Sequence, residues 1–349
     1  MTSISKIDKN FMVSTSIDKK DIKFYKAGEG ELKVYGVFKE DGVYRRMPGA
    51  IAESVSDSIC SLNLKTAGGR VKFATDSTYI AINAVMNTLG KMPHFPLTGS
   101  AGFDMYADGL YVKTFVPPFD IKEGYESILD FDKKQMREIT INFPLYSGVT
   151  ELYIGVEEGA EIKEAKPYKN DKPIVYYGSS ITQGGCASRP GMSYEAIVSR
   201  EFDCDYINLG FSGNAKAEDE IADYIKNLDM SVFVYDYDHN APTIDHLEKT
   251  HERMFKKIRE VNPDLPIIMM NRPKYYLTDA EKTRKEIIET TYKNALNAGD
   301  KNVYYIDNIA LTKLCKDLGT VDNCHPTDFG FYSIAEALIL VLKEYVFDL

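Results

Sequence analysis

The sequence predicts an α/β fold: an all-β sandwich of jelly-roll type, then an α/β domain built on a five-stranded parallel sheet. Two observations carry this. Up to about Glu164, short alternating runs recur with turn signals between them, as in a sandwich of many short strands. After Pro173, near-continuous apolar runs alternate with helical periods, as in a parallel sheet covered on both faces.

In the first half the predicted strands are Leu32–Phe38, Arg70–Ala74, Tyr79–Val85, Leu110–Phe115, Glu138–Phe143 and Glu151–Val156. Glu40-Asp41-Gly42, Ala67-Gly68-Gly69, Ala107-Asp108-Gly109 and Ser147-Gly148 mark turns. A short helix is read near Glu53–Ser61. The polar, Pro-containing segment Glu164–Lys172 reads as a linker. The expected division is therefore residues 1–168 and 169–349.

In the second half the predicted strands are Ile174–Tyr177, Tyr206–Leu209, Val232–Asp236, Pro266–Met270 and Val303–Ile306. Helices are read over Tyr194–Phe202 with Ser193 as N-cap, Glu218–Leu228, Asp245–Val261, a segment opening on the capping box Thr278-Asp-Ala-Glu281, and Phe329–Tyr345.

The 349 residues allow about two or three domains at ~100–200 residues each. A formal net charge of −10 argues against nucleic acid and anionic membrane as partners. No apolar run approaches the ~18 residues of a membrane span. Residues 1–10 carry no apolar core of a signal peptide, so a cytoplasmic location is expected. The five cysteines, Cys60, Cys186, Cys204, Cys315 and Cys324, lack CxxC spacing. That pattern fits free thiols and argues against structural zinc. With 24 tyrosines and no tryptophan, any sugar-stacking platform is Tyr or Phe.

The chemistry concentrates where the predicted strands end. The first strand runs into Gly178-Ser179-Ser180, the second into Gly210-Phe211-Ser212-Gly213-Asn214, the third into Tyr237-Asp238-His239-Asn240, and the fourth into Asn271-Arg272-Pro273. Beyond the fifth comes Asp322-Asn323-Cys324-His325-Pro326. All fall on one rim of the sheet, where open α/β sheets bind ligands. Each alone is an ordinary turn. Together they supply a nucleophile, a base, a group to orient it and oxyanion donors. Ser180 is the candidate nucleophile. Of five histidines, His239 and His325 lie on the rim; His325 precedes a helix and has Asp322 three residues before it, in a loop that can fold the carboxylate onto the ring. His94 lies in the β half, His246 opens a helix, His251 sits on that helix's apolar face and His239 adjoins Asn240. The Ser180 and Gly213 amides and the Asn240 side chain are the candidate oxyanion donors. Tyr177, Arg189 and Arg272 are candidate substrate contacts. Arg189 has a second reading, pinning the loop after Ser180 through a carboxylate.

These blocks resemble the SGNH (GDSL-like) hydrolase superfamily: a Gly-Asp-Ser turn, a glycine, an asparagine and Asp-x-x-His near the C-terminus. The match spans most of residues 173–349. Ser179 stands where the family usually has Asp, and Tyr-Asp-His-Asn departs from the commoner Gly-x-Asn-Asp. Gly102-Phe103-Asp104-Met105-Tyr106 resembles the Gly-x-Asp-Leu-Tyr motif of the β domain that precedes a bacterial subgroup, similar to two-domain carbohydrate acetylesterases. The resemblance implies a flavodoxin-like three-layer α/β/α catalytic domain. It also implies a serine esterase acting through Ser180, His325 and Asp322 on an acylated carbohydrate or similar small ester. A small acyl group such as acetyl is favoured, because no long apolar lid segment is found. No metal or organic cofactor is required. The rival reading is a carbohydrate-binding protein on the same scaffold with little turnover. The oligomeric state stays open, a homo-oligomer included.

Overall fold

The computed structural model describes residues 15–347, so the leader reading of residues 1–10 falls outside the described residues. Two antiparallel sheets make the N-terminal β domain. One has the order Ile22–Lys26, Gly148–Glu157, Tyr79–Thr88, Gly124–Asp130. The other runs Ile162–Lys163, Arg70–Thr75, Arg137–Asn142, Phe103–Ala107, Leu110–Phe115, with Lys33–Tyr35 also on Arg70–Thr75. Ile80, Ile82, Leu152 and Ile154 of the first sheet pack on Val71, Phe73, Met105, Ile139 and Ile141 of the second. Each such side chain contributes about 1.5–3 kcal/mol on burial. Arg70–Thr75 is buried on both faces. Its second face, bearing Arg70 and Lys72, meets the C-terminal domain, where Arg70 pairs with Asp205 and donates to the Tyr206 carbonyl.

The run Leu32–Phe38 is not one strand. It breaks at Gly36, whose φ is +71°, into Lys33–Tyr35 and Phe38–Glu40. The helix expected near Glu53–Ser61 is two, Gly49–Val55 and Asp57–Asn63, because Ser56 turns extended and caps the second through Ile59 N–H.

The C-terminal parallel sheet has the order Cys204–Gly210, Asn170–Gly178, Val232–Asp236, Ile267–Met270, Val303–Ile306. In chain order this is 2-1-3-4-5, the flavodoxin-like arrangement. Helices Tyr194–Phe202 and Asp328–Tyr345 cover one face. Asp219–Ile225, Ile244–Val261 and Asp279–Asn297 cover the other. Strand Asn170–Gly178 shows why both are needed: Tyr176 packs into one core and Tyr177 into the other. The strand order reverses around this strand, so its carboxyl end faces the crevice where ligands bind in such sheets. Among the described residues, no helix is long and apolar enough to cross a membrane.

Candidate active site

Ser180 sits two residues beyond that strand. Gly178 lets the chain turn there: a Cβ would meet Thr182 Oγ1 at 2.1 Å and the Asp236 carbonyl at 2.5 Å. The turn is fixed on all sides. Ser179 N–H donates to the Asp236 carbonyl, Gln183 N–H to the Ser179 carbonyl at 3.0 Å and Gly185 N–H to the Ser180 carbonyl at 2.8 Å. Ser179, in the family's Asp position, is fully buried, and its Oγ accepts the Ile181 N–H at 3.1 Å. A neutral hydroxyl thus supplies the turn with an acceptor.

Ser180 Oγ lies 3.0 Å from His325 Nε2. His325 Nδ1 lies 2.8 Å from Asp322 Oδ2, and Asp322 Oδ1 accepts the backbone N–H groups of His325 and Cys324. Burial pushes the Asp322 carboxyl up, but the hydrogen bonds from the His325 ring and backbone outweigh it and hold the pKa below its ordinary value. The helix Asp328–Tyr345, capped by Thr327 through Gly330 N–H, anchors the end of this loop.

Gly213 stands in an exposed turn with φ +71°, a conformation that favours glycine; a Cβ there would meet nothing within 4 Å. Asn240 Oδ1 accepts Ala215 N–H at 3.2 Å, tying the asparagine and glycine loops together.

The three candidate substrate contacts all have partners within the protein. Tyr177 is fully buried, accepting Ala217 N–H and donating to Glu218. Arg272 is consumed by Asp238 and Glu281. Arg189 pairs with Asp104 at 2.8 Å, bonds the Tyr106 hydroxyl and stacks on the Tyr111 ring. Its second reading, pinning the loop, is what the side chain does.

Sequence reasoning missed several residues. Buried Gln183 takes Ser212 N–H at Oε1 and gives Nε2 to the Leu145 carbonyl of the β domain. Tyr146 donates to the Ser180 carbonyl at 3.1 Å. Arg46, buried without a carboxylate partner among the described residues, donates to the Asn208, Gly210 and Leu62 carbonyls. His94 of the β domain sets its ring 5.6 Å from that of His325. The partners lie far off in sequence, so no local spacing marks them. His251, expected in the core, is buried and stacked on Tyr235.

A 2-1-3-4-5 parallel sheet, with a serine at the carboxyl end of its first strand hydrogen-bonded to a His-Asp pair, is the arrangement of the SGNH hydrolase class. The chain belongs to this class by sequence as well: residues 171–343 match the GDSL-like lipase/acylhydrolase family, and residues 22–162 match the GxDLY family, the N-terminus of SGNH-hydrolase-type esterases. Among solved structures, a protein of Bacteroides ovatus ATCC 8483 described as a GDSL-like lipase is 29% identical, with TM-score 0.82, covering 93% of this chain and 97% of its own. The salicylyl-acyltransferase SsfX3 of a tetracycline biosynthetic pathway is 20% identical, with TM-score 0.75 and coverage of 92% and 96%. A family two carbohydrate esterase from Cellvibrio japonicus shares the fold at 12% identity, with TM-score 0.63 and coverage of 93% and 97%. No curated protein matches the sequence.

Proposed function

We propose that the protein is a serine esterase that removes a small acyl group, acetyl foremost, from an acylated carbohydrate or similar small ester. The observation that carries this is the unbroken chain Ser180 Oγ, His325 Nε2, His325 Nδ1, Asp322 Oδ2, at 3.0 and 2.8 Å. Ser180 attacks the acyl carbonyl while its proton passes to His325 Nε2. Asp322 holds the ring in the tautomer that leaves Nε2 free to accept and stabilises the imidazolium that forms. The oxyanion is held by the Ser180 and Gly213 amides and the Asn240 side chain. With Asn240 Oδ1 engaged by Ala215, Nδ2 is the group left to donate. His325 returns the proton to the leaving alcohol; water then attacks the acyl-enzyme with the same base.

The carbohydrate assignment draws support from the two-domain fold shared with the Cellvibrio japonicus carbohydrate esterase. The complete Ser-His-Asp chain supports turnover over binding alone. Ser180→Ala should cut hydrolysis of a small chromogenic acetate ester by at least about 10⁴-fold, and an organophosphonate probe should label Ser180. Undiminished turnover in that variant sinks the assignment. A screen of acetylated mono- and oligosaccharides against lipid esters tests the substrate class.

A further inference from the structure

His94, Cys186 and His325 each bring one ligand atom to a common point, with all three atoms within 4.8 Å of one another. They come from three separate stretches: the loop before the helix Leu97–Ser100, the loop after the nucleophile turn, and the loop before the last helix. No spacing motif announces them. We propose that this is an inhibitory zinc site, in which Zn²⁺ bridges the β domain to the catalytic imidazole and takes His325 away from Ser180.

The donor set fits. Two imidazoles and a thiolate select Zn²⁺ over Mg²⁺ or Ca²⁺. Zn–N bonds of about 2.0–2.1 Å and a Zn–S bond of about 2.3 Å require the ligand atoms to draw in somewhat. His94 is exposed, while its neighbour Phe95 is buried and packs edge-on against Tyr146, which keeps the loop in place. His325 already has the outer partner that zinc-bound histidines carry: its Nδ1 faces the Asp322 carboxylate at 2.8 Å, leaving Nε2 for the metal.

Cys186 is the third donor. Its backbone has φ +77°, in the left-handed region that a non-glycine residue adopts at a cost of order 1–3 kcal/mol. The loop holds a buried thiol beside the catalytic histidine despite that strain. On binding, the Zn–S bond forms as the thiol proton leaves to solvent, and the Nε2 lone pair goes to zinc. His325 then cannot accept the Ser180 proton, and the fourth coordination position takes water or Ser180 Oγ.

The inhibition rests on the esterase reading; the metal site does not. Zinc chloride should inhibit hydrolysis of the chromogenic acetate, and EDTA should restore it. His94→Ala and Cys186→Ser should each raise the half-inhibitory zinc concentration at least about tenfold, with each variant's inhibition read against its own metal-free turnover. Cobalt(II) added to the metal-free protein should give tetrahedral ligand-field bands and a thiolate charge-transfer band, the latter lost in Cys186→Ser. The cobalt spectrum needs no turnover, so failure of the site and failure of the esterase reading are distinguishable. Absence of the thiolate band in the unmodified protein, or equal zinc sensitivity in all three proteins, overturns the proposal.

Discussion

The Asp104 carboxylate and the Arg189 guanidinium meet at 2.8 Å across the two domains, and Asp104 is fully buried. Its second contacts complete a clamp. Asp104 Oδ2 also accepts Gly191 N–H at 2.9 Å, and Oδ1 accepts Asn142 Nδ2 at 2.8 Å. The Gly-x-Asp-x-Tyr motif thus grips the loop that follows the nucleophile turn. Asp104→Asn leaves Arg189 without its counter-charge and should destabilise the protein by about 3 kcal/mol or more. It should also lower kcat, because loosening the loop shifts the turn bearing Ser180. Thermal unfolding together with acetate-ester kinetics checks both. A variant with lowered Tm and unchanged kcat would show that the clamp does not reach the nucleophile.

Legibility followed the range of the interactions. The parallel strands read correctly because each is an apolar run of its own, and Tyr194–Phe202 is bounded as its period predicts. Ser180 and the Asp322–His325 pair stand out because strand end and i, i+3 spacing are local features. Phe103–Ala107 is buried along its whole length and showed as a motif, not as an alternating strand. Leu110–Phe115 is the reverse, a strand with four exposed residues at its start. Gln183, Tyr146, Arg46 and His94 stayed hidden because contacts from one domain to the other give them their meaning.

Asp322 is partly exposed, with 37% of its side-chain surface accessible, and it touches little besides His325 and Cys324. Its removal should therefore cost chemistry rather than fold. Asp322→Asn is expected to lower kcat by about 10²–10⁴-fold, through loss of tautomer control, with a change of only a few degrees in Tm. Thermal unfolding beside kcat separates the effects; retained kcat would exclude Asp322 as the orienting group.

Glu281 links the capping box of Asp279–Asn297 to the wall behind Asn240. It accepts Thr278 N–H and pairs with Arg272 and Lys274, and Arg272 also holds Asp238. Burial pushes its carboxyl up, but Thr278, Lys274 and Arg272 outweigh burial and lower its pKa from 4.5 to about 2. A depressed folded pKa stabilises the protein above the unfolded pKa, and that stability is lost as pH falls through the folded value. The contribution is therefore complete above about pH 4.5 and gone near pH 2. Glu281→Gln should cost up to about 3 kcal/mol at neutral pH. Its stability should fall less steeply than the unmodified protein's between those limits. Denaturant unfolding across that range measures the convergence; parallel curves would refute it.

Arg46 is a buried cation with no carboxylate partner among the described residues. Its guanidinium bonds three carbonyls, two of them Asn208 and Gly210 at the end of the strand leading to Gly213, and lies 4.7 Å from the Phe211 ring centre. Burial draws its pKa down to about 9, which still leaves it charged at neutral pH. A lysine has no fork to reach separate carbonyls, and a methionine has no donor at all. Arg46→Met fills much of the volume but strands those carbonyls, at about 1–3 kcal/mol for each left unsatisfied. It should lower Tm clearly and kcat with it, because the Asn208–Gly210 segment sets the position of the Gly213 turn. Arg46→Lys should fall between the two. The order arginine, lysine, methionine in kcat, read at a temperature where all three are folded, tests whether these carbonyl contacts position the glycine; equal kcat values would confine Arg46 to holding the fold.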